Sequence, residues 1–446
     1  KELNKKWNQC GLGEKLSKNT TKSLSRIIKN VYLLHYTGGK KPWLVNFDES
    51  DKDFLEEWYI YLDNIDPDNL KDFPIIKNNL ISIKKTNSTN YKSLKRKFTN
   101  NLISKMEVKF YNEEIDSKVK ILVTGCAGFI GSHVCERLLK DKDNIVIGID
   151  NINDYYDMNQ KYDNLKLLSN VSENNHKNFI FIKDDILDTK LIEKLKPDKV
   201  CHLAAMAGVR YSIENPSLYV KVNIEGFINL LEQSVKNNVK NFVYASSSSV
   251  YGLNEKVPFS ENDLISSCNS PYAASKRAKE VFAKTYNQLY DLPLIGLRFF
   301  TVYGPRGRPD MAPYKFLKAI MEGTEFKKFG DGSSMRDYTY IDDIVDGIIS
   351  ALENKSNMKC EVINLGNSSP ISLNQFIETC EKVTNKKAIY ETIENQLGDV
   401  PKTYADVTKA NKLLNYNPKV CLEDGLKNTY DWLVKYNLKN VTESSV

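Results

Sequence analysis

Apolar and polar positions divide this chain near residue 118. From there to about residue 300, short apolar runs alternate with stretches of helical period. Val119-Lys-Ile-Leu-Val123, Ile145-Val-Ile-Gly-Ile149, Phe179-Ile-Phe-Ile182, Lys199-Val-Cys-His-Leu203, Asn241-Phe-Val-Tyr-Ala245 and Leu294-Ile-Gly-Leu297 predict six strands. Helical patterns fill the gaps: one through Cys135 and Leu139, one from Tyr219 to Lys236, one from Tyr272 to Tyr290. This alternation predicts an α/β fold, a doubly wound parallel sheet of Rossmann type. After Gly304 the alternation fades. A core over about 118–300 and a smaller C-terminal substrate lobe, mainly 301–437, are expected, with residues 438–446 as a tail.

Upstream the texture differs. Residues 84–117 are polar and basic, with Lys84-Lys85 and the run from Lys92 to Lys97, which predicts a linker. Residues 1–83 carry Trp7, Trp43 and Trp58, three of the four tryptophans. A length of 446 residues sets two domains as the prior, and a hydrophobic fraction of 41% suffices for a core. The net charge of +6 is spread along a lysine- and asparagine-rich chain, which argues against a nucleic-acid footprint. Eight cysteines are scattered without a C-x-x-C pair, as expected for reduced thiols in the cytoplasm and not for zinc or disulfides. No apolar run reaches the ~18 residues of a membrane span.

Two motifs carry chemistry. Gly125-x-x-Gly128-x-x-Gly131 follows the first strand and opens a helix, the context in which such a turn cradles a dinucleotide pyrophosphate. Gly125 permits the turn, Gly128 lets backbone approach phosphate, and Gly131 lets helix and sheet pack. Asp150 ends the second strand, where a carboxylate accepts from the adenine-ribose hydroxyls and repels a 2′-phosphate, so NAD is expected over NADP. Asp185 and Ile186, past the third strand, stand where adenine contacts or a plain surface turn would both fit.

Tyr272-Ala-Ala-Ser-Lys276 places a phenol and an ammonium one helical turn apart on one face. In isolation the same spacing describes a solvated helix face; behind a glycine fingerprint it describes a proton-transfer pair. A phenol has a pKa of about 10, and bringing it to about 7 requires roughly 4 kcal/mol. A cation about 4 Å away, at an effective dielectric of about 20, supplies energy of that order. Ser246-Ser-Ser-Ser249 follows the fifth strand, and strand carboxyl ends face the ligand crevice, so Ser247 is expected on the reacting oxygen. No metal is expected.

Residues 119 to about 437 resemble the UDP-glucuronate 4-epimerases of the extended short-chain dehydrogenase/reductase family. The resemblance rests on Thr124–His133, Asp150–Tyr156, Leu203–Tyr211, Tyr244–Gly252, Leu297–Pro305, Gly307–Met311, Arg336–Asp343 and Gly398–Pro401. It implies that Tyr272 takes the C4 hydroxyl proton while NAD oxidises C4, and that the 4-keto sugar then swings about its pyrophosphate and is reduced on its other face. It further implies cofactor contacts from Phe129, Ile130, Leu203, Ala204 and Ala205. Ser248, Ser249, Thr301 and Arg308 are implied around the sugar carboxylate, with Arg336, Asp399 and Arg210 around the UDP. Relatives that dehydrate or decarboxylate the sugar usually carry an acid beside Ser247, which this chain lacks. Relatives acting on UDP-glucose usually carry asparagine at Thr301. Arg306 departs from the tryptophan common there, which puts local loop packing in doubt. His133 and His202 are expected to be structural. A homodimer paired through the Tyr272 helix is implied too.

His35-Tyr-Thr-Gly-Gly-Lys-Lys-Pro-Trp43 resembles the last motif of the retaining glycosyltransferases that include glycogenin. The chain begins at Lys1, and residues 1–83 are expected to be the end of a truncated, inactive transferase domain; an unrelated helical extension is the alternative. Two rival functions stay open: a 4-epimerase of UDP-glucose or a UDP-N-acetylhexosamine, and a dinucleotide-binding sensor without catalysis.

Overall fold

Seven strands form one parallel sheet in the computed structural model, which describes residues 118–394 and 401–444. They are β1 (Val119–Thr124), β2 (Asn144–Asp150), β3 (Phe179–Lys183), β4 (Lys199–His202), β5 (Asn241–Ser247), β6 (Leu294–Phe299) and, after three short strands elsewhere, β10 (Cys360–Leu365). The order is β3-β2-β1-β4-β5-β6-β10. Helices cover both faces, so the strands read as apolar runs; all seven residues of β5 are buried. The chain direction across the sheet reverses between β1 and β4, the switch point where such sheets bind ligands.

Each of the six predicted strands is present. The seventh was not read, because its first half, Cys360-Glu361-Val362, is half-exposed at the sheet edge and polar in part. β10 pairs with β6 in register, Cys360 opposite Leu294 to Leu365 opposite Phe299. The main sheet therefore crosses the expected division at about residue 300. The remaining strands make two small sheets. β7 (Thr301–Tyr303), β9 (Met335–Tyr340), β11 (Pro370–Ser372) and β13 (Lys402–Thr403) form one; β8 (Glu325–Phe329) and β12 (Ile389–Ile393) form the other.

The helical pattern from Tyr219 to Lys236 is broken at its start. Val220–Glu225 is a π-helical turn, and Gly226–Lys236 continues as α-helix. The turn buries Asn223, which accepts from the Met206 amide at 2.8 Å and donates to the Met206 carbonyl and Ser275 Oγ, both at 2.9 Å. A widened turn of this kind often marks a functional site. Here it fixes the segment after β4.

The Pro271–Tyr290 helix begins with Ser270, whose Oγ accepts from the Ala273 amide at 3.1 Å, and Pro271 in its first turn. Its rotation is set by Glu280. That carboxylate accepts from Arg298 Nε and Nη2, both at 2.8 Å, from Arg277 and from Ser246 Oγ at 2.6 Å. Burial pushes its pKa up, but these partners hold it below the usual carboxylate value. Ser246 thus belongs to the scaffold, and the next serine faces the crevice. The expected transferase-like segment and the linker, residues 1–117, lie outside the described residues, as does Asp399.

Candidate active site

The glycine turn meets the segment after β4 at the switch point. Gly125 has φ +74°, and a Cβ there would stand 2.8 Å from the Ala204 amide nitrogen. A Cβ on Gly131 would fall 2.0 Å from the Gly125 carbonyl oxygen. Gly128 starts the Phe129–Leu138 helix with no side chain capping its amides. Bare amides at a helix start, beside backbone that tolerates no side chain, fit a pyrophosphate. Leu203 and Ala204 are tied to β1, Leu203 through the Thr124 carbonyl at 3.2 Å and Ala204 through Thr124 Oγ1 at 3.2 Å. The residues expected on the cofactor side thus lie together, with Ala205 next in the chain.

Asp150 lies at the carboxyl end of β2. Its carboxylate accepts from the Ala127 amide at 3.1 Å and the Ile152 amide at 2.9 Å, which aims it along the glycine turn. Burial pushes its pKa up, opposed by the nearby Lys161 ammonium and these amides. Asp185 accepts from Asn151 Nδ2 at 2.9 Å and the Leu187 amide at 3.0 Å. Ile186 is buried, and a Cβ on Gly226 would meet it at 2.8 Å, so helix packing takes up much of its side chain.

Ser247 ends β5, opposite Phe299 of β6, and two residues on the chain reaches Thr301 in β7. Ser247 Oγ lies 3.1 Å from Ser249 Oγ and accepts from the Ser249 amide at 3.1 Å. Its hydroxyl is close enough to the Tyr272 phenol to favour the phenolate. Lys276 Nζ stands 5.7 Å from the Tyr272 ring centre and donates to the Ala245 carbonyl at 3.0 Å. Ser247, Tyr272 and Lys276 are thus assembled.

Their protonation differs from the expectation. Burial raises the Tyr272 pKa above its usual value, and the Ser247 hydroxyl and the Arg308 charge offset this only in part. Burial, with the Arg308 charge adding to it, lowers Lys276 to about 7. The ammonium donates to the Ala245 carbonyl, and for the phenol desolvation is the largest effect.

Arg308 holds its fork against Asp310, Nε to Oδ1 at 3.0 Å and Nη2 to Oδ2. Its guanidinium lies 5.3 Å from the Tyr155 ring centre. Tyr155 itself donates to the Ala207 carbonyl at 2.9 Å, as does Tyr219, whose ring meets Tyr272 edge-on at 6.1 Å. Sequence reasoning missed Tyr155, Tyr219, Asn223 and Asp310. Tyr155 and Asp310 lie inside motifs it had used, which was the available signal. Arg210 stacks 5.1 Å from the Phe329 ring centre in β8, and Arg336 sits in β9, donating to the Met335 carbonyl at 2.9 Å. Neither is brought to the Tyr272 centre by a direct contact. His202 is buried, with Nδ1 2.9 Å from Thr124 Oγ1.

The GDP-mannose 4,6 dehydratase family model matches residues 122–429. A UDP-glucuronate 4-epimerase of Thermodesulfobacterium geofontis is 46% identical over 70% of this chain and 95% of its own. The chain belongs to the UDP-glucuronate 4-epimerase family. The crystal structure of the Bacillus cereus UDP-glucuronic acid 4-epimerase in complex with UDP-glucuronic acid and NAD is similar with a TM-score of 0.67 and 41% identity. That match covers 71% of this chain and all of the other. A UDP-glucose 4-epimerase of Thermotoga maritima with UDP-glucose is also similar, at a TM-score of 0.63 and 34% identity over 72% of this chain and 100% of that one. Residues 1–46 match the glycosyl transferase family 8 model.

Proposed function

We propose that this chain is an NAD-dependent C4 epimerase of a UDP-hexuronate, interconverting UDP-glucuronate and UDP-galacturonate. The observation that carries the reading is the convergence of Ser247 at the end of β5, the Tyr272 phenol beside it and the Lys276 ammonium on the Ala245 carbonyl, with Arg308 close enough for its charge to act on both side chains of the pair. Gly125, Gly128, Phe129, Ile130, Gly131, Asp150, Asp185, Ile186 and Leu203, Ala204 and Ala205 would hold NAD. Bound NAD supplies a two-electron oxidant and then reductant at the sugar C4.

The protein's own part is proton handling and orientation. Ser247 shares its hydroxyl with the phenol and holds the C4 oxygen. Tyr272 accepts the C4 hydroxyl proton and returns one when the ketone is reduced. Burial raises its pKa, so positive charge near the phenol would favour the phenolate. The Arg308 guanidinium and the hydroxyls of Ser248, Ser249 and Thr301 would hold the C5 carboxylate out of line with the C4 carbonyl, since a 4-keto uronic acid is a β-keto acid that readily loses CO₂. Arg336, Asp399 and Arg210 would serve the UDP moiety.

The test is a panel of UDP-glucuronate, UDP-glucose and UDP-N-acetylglucosamine given to the purified chain, with epimers resolved and CO₂ monitored. Uronate epimerisation with little CO₂ is expected. Turnover of UDP-glucose alone would overturn the uronate assignment, and inertness toward all three would leave a dinucleotide-binding protein.

The same reading includes a homodimer. Ile213, Val220, Val281, Leu289 and Tyr290 are more than half exposed, on the Val209–Glu214 helix, the π turn and the Pro271–Tyr290 helix that packs beside both. Sedimentation as a monomer at micromolar concentration would contradict it. Among the described residues no helix is long and apolar enough to cross a membrane. A cytoplasmic setting is part of the reading, supported by free cysteines at the described positions. Residues 1–83 are read as a transferase-like end, on the motif at His35–Trp43 and the family 8 match, and residues 84–117 as a linker.

A further inference from the structure

The loop from Gly304 to Met311 carries Arg308, and it is held from two sides by groups outside the reaction. Arg306 has φ +62°, a left-handed conformation that few non-glycine residues adopt, and its side chain is buried. The turn therefore sends a guanidinium inward, against the Phe129–Leu138 helix. There Nε donates to His133 Nε2 at 3.2 Å and Nη2 pairs with the Glu136 carboxylate. His133 Nδ1 lies 2.9 Å from the Phe129 carbonyl oxygen, so Nδ1 carries the proton and Nε2 is free to accept. Both partners sit on the helix that begins at the glycine turn. On the other side, Gln160 Nε2 donates to the carbonyls of Arg306 at 2.8 Å and Gly307 at 3.0 Å. Gln160 is buried in the Met158–Asn174 helix.

We propose that Arg306 is a positioning residue: it bolts the Arg308 loop to the dinucleotide helix and thereby fixes the guanidinium that orients the sugar carboxylate. The inference rests on the uronate reading given above. The physical reason for the clamp is that, among the described residues, the Arg308 side chain is held mainly by Asp310 on the same loop, with Tyr155 at 3.5 Å, so the loop could carry the Arg308–Asp310 pair away as one body. Arg306 and Gln160 supply the links to the rest of the fold. A guanidinium held in one place restrains the carboxylate during the keto stage. If it drifts, the C5–C6 bond can align with the C4 carbonyl and break. Its electron pair then moves to C5 as the enolate of the C4 ketone, a proton is taken up at C5, and CO₂ leaves.

Partitioning between epimer and CO₂ tests this, because it is a ratio per turnover and does not depend on how much of the sample is folded. Arg306→Gly suits the left-handed backbone and removes only the clamp. The expected result is a rise of about tenfold in CO₂ released per epimer formed, with an increased KM for UDP-glucuronate. Arg306→Lys, which keeps a charge for Glu136, is expected to recover part of the loss. Gln160→Leu releases the loop from its other side and is expected to shift partitioning in the same direction; it decides the matter if Arg306→Gly does not fold. Unchanged partitioning in the folded variants overturns the inference while leaving the uronate reading intact. A wild-type chain inert toward UDP-glucuronate overturns that reading, and this inference with it.

Discussion

Lys276 donates its buried ammonium to the Ala245 carbonyl, 3.0 Å away, although the residue stands one helical turn from the Tyr272 phenol. The lysine is thus anchored to the strand that ends in Ser247, and one strand end organises both partners of the phenol. Its charge is expensive to keep there. Burial, with Arg308 adding to it, lowers its pKa from 10.5 to about 7.

That shift has a sign. A lysine whose folded pKa is depressed holds fewer protons folded than unfolded between about pH 7 and 10.5, so the ligand-free protein should gain stability as pH rises through that window. Lys276→Met should stabilise it by roughly 4 kcal/mol at pH 7, and the advantage should shrink toward pH 10. Thermal melts of both proteins across that range check the slope. The same variant should lose most epimerase activity.

Tyr272→Phe removes the acid–base group and leaves the ring that meets Tyr219 edge-on. Turnover should fall by about 10²–10⁴ while the melting temperature stays close to wild type. Undiminished epimer formation in a chromatographic assay would remove Tyr272 from the mechanism.

Gly131→Ala would set a methyl group 2.0 Å from the Gly125 carbonyl oxygen, a contact with backbone that no rotamer relieves. The helix must back away from the glycine turn, at a cost of about 1–3 kcal/mol or more. Weakened NAD binding by titration calorimetry, together with a lower melting temperature, is the expected outcome.

Lys279 is fully buried against Phe227 and Tyr244, and its Nζ makes no hydrogen bond among the described residues. Burial, with the Lys276 charge adding to it, pushes its pKa well down. Lys279→Met should therefore stabilise the protein by about 1–3 kcal/mol, raising the melting temperature by several degrees without reducing turnover. A destabilised variant would show that the lysine has a partner of its own.

Local rules wrote much of this protein into its sequence. Strand and helix periods, the glycine spacing and the Tyr272–Lys276 turn depend on neighbours a few residues apart, and all of these can be read without a fold. The serines at the end of β5 were legible as a group, but only the fold separates Ser246, which bonds Glu280, from Ser247. The seventh strand was hidden: at a sheet edge only half of β10 is buried, so its pattern is weak. Tyr155 and the Arg306 clamp were hidden because each acts through partners distant in the chain, and Arg306 also through a backbone turn that its residue type disfavours. The protonation of the central pair was decided by tertiary structure alone. Charge spacing along a helix suggests a lysine that acidifies a tyrosine, but desolvation depends on everything packed around them, and in this fold burial is the larger effect on both.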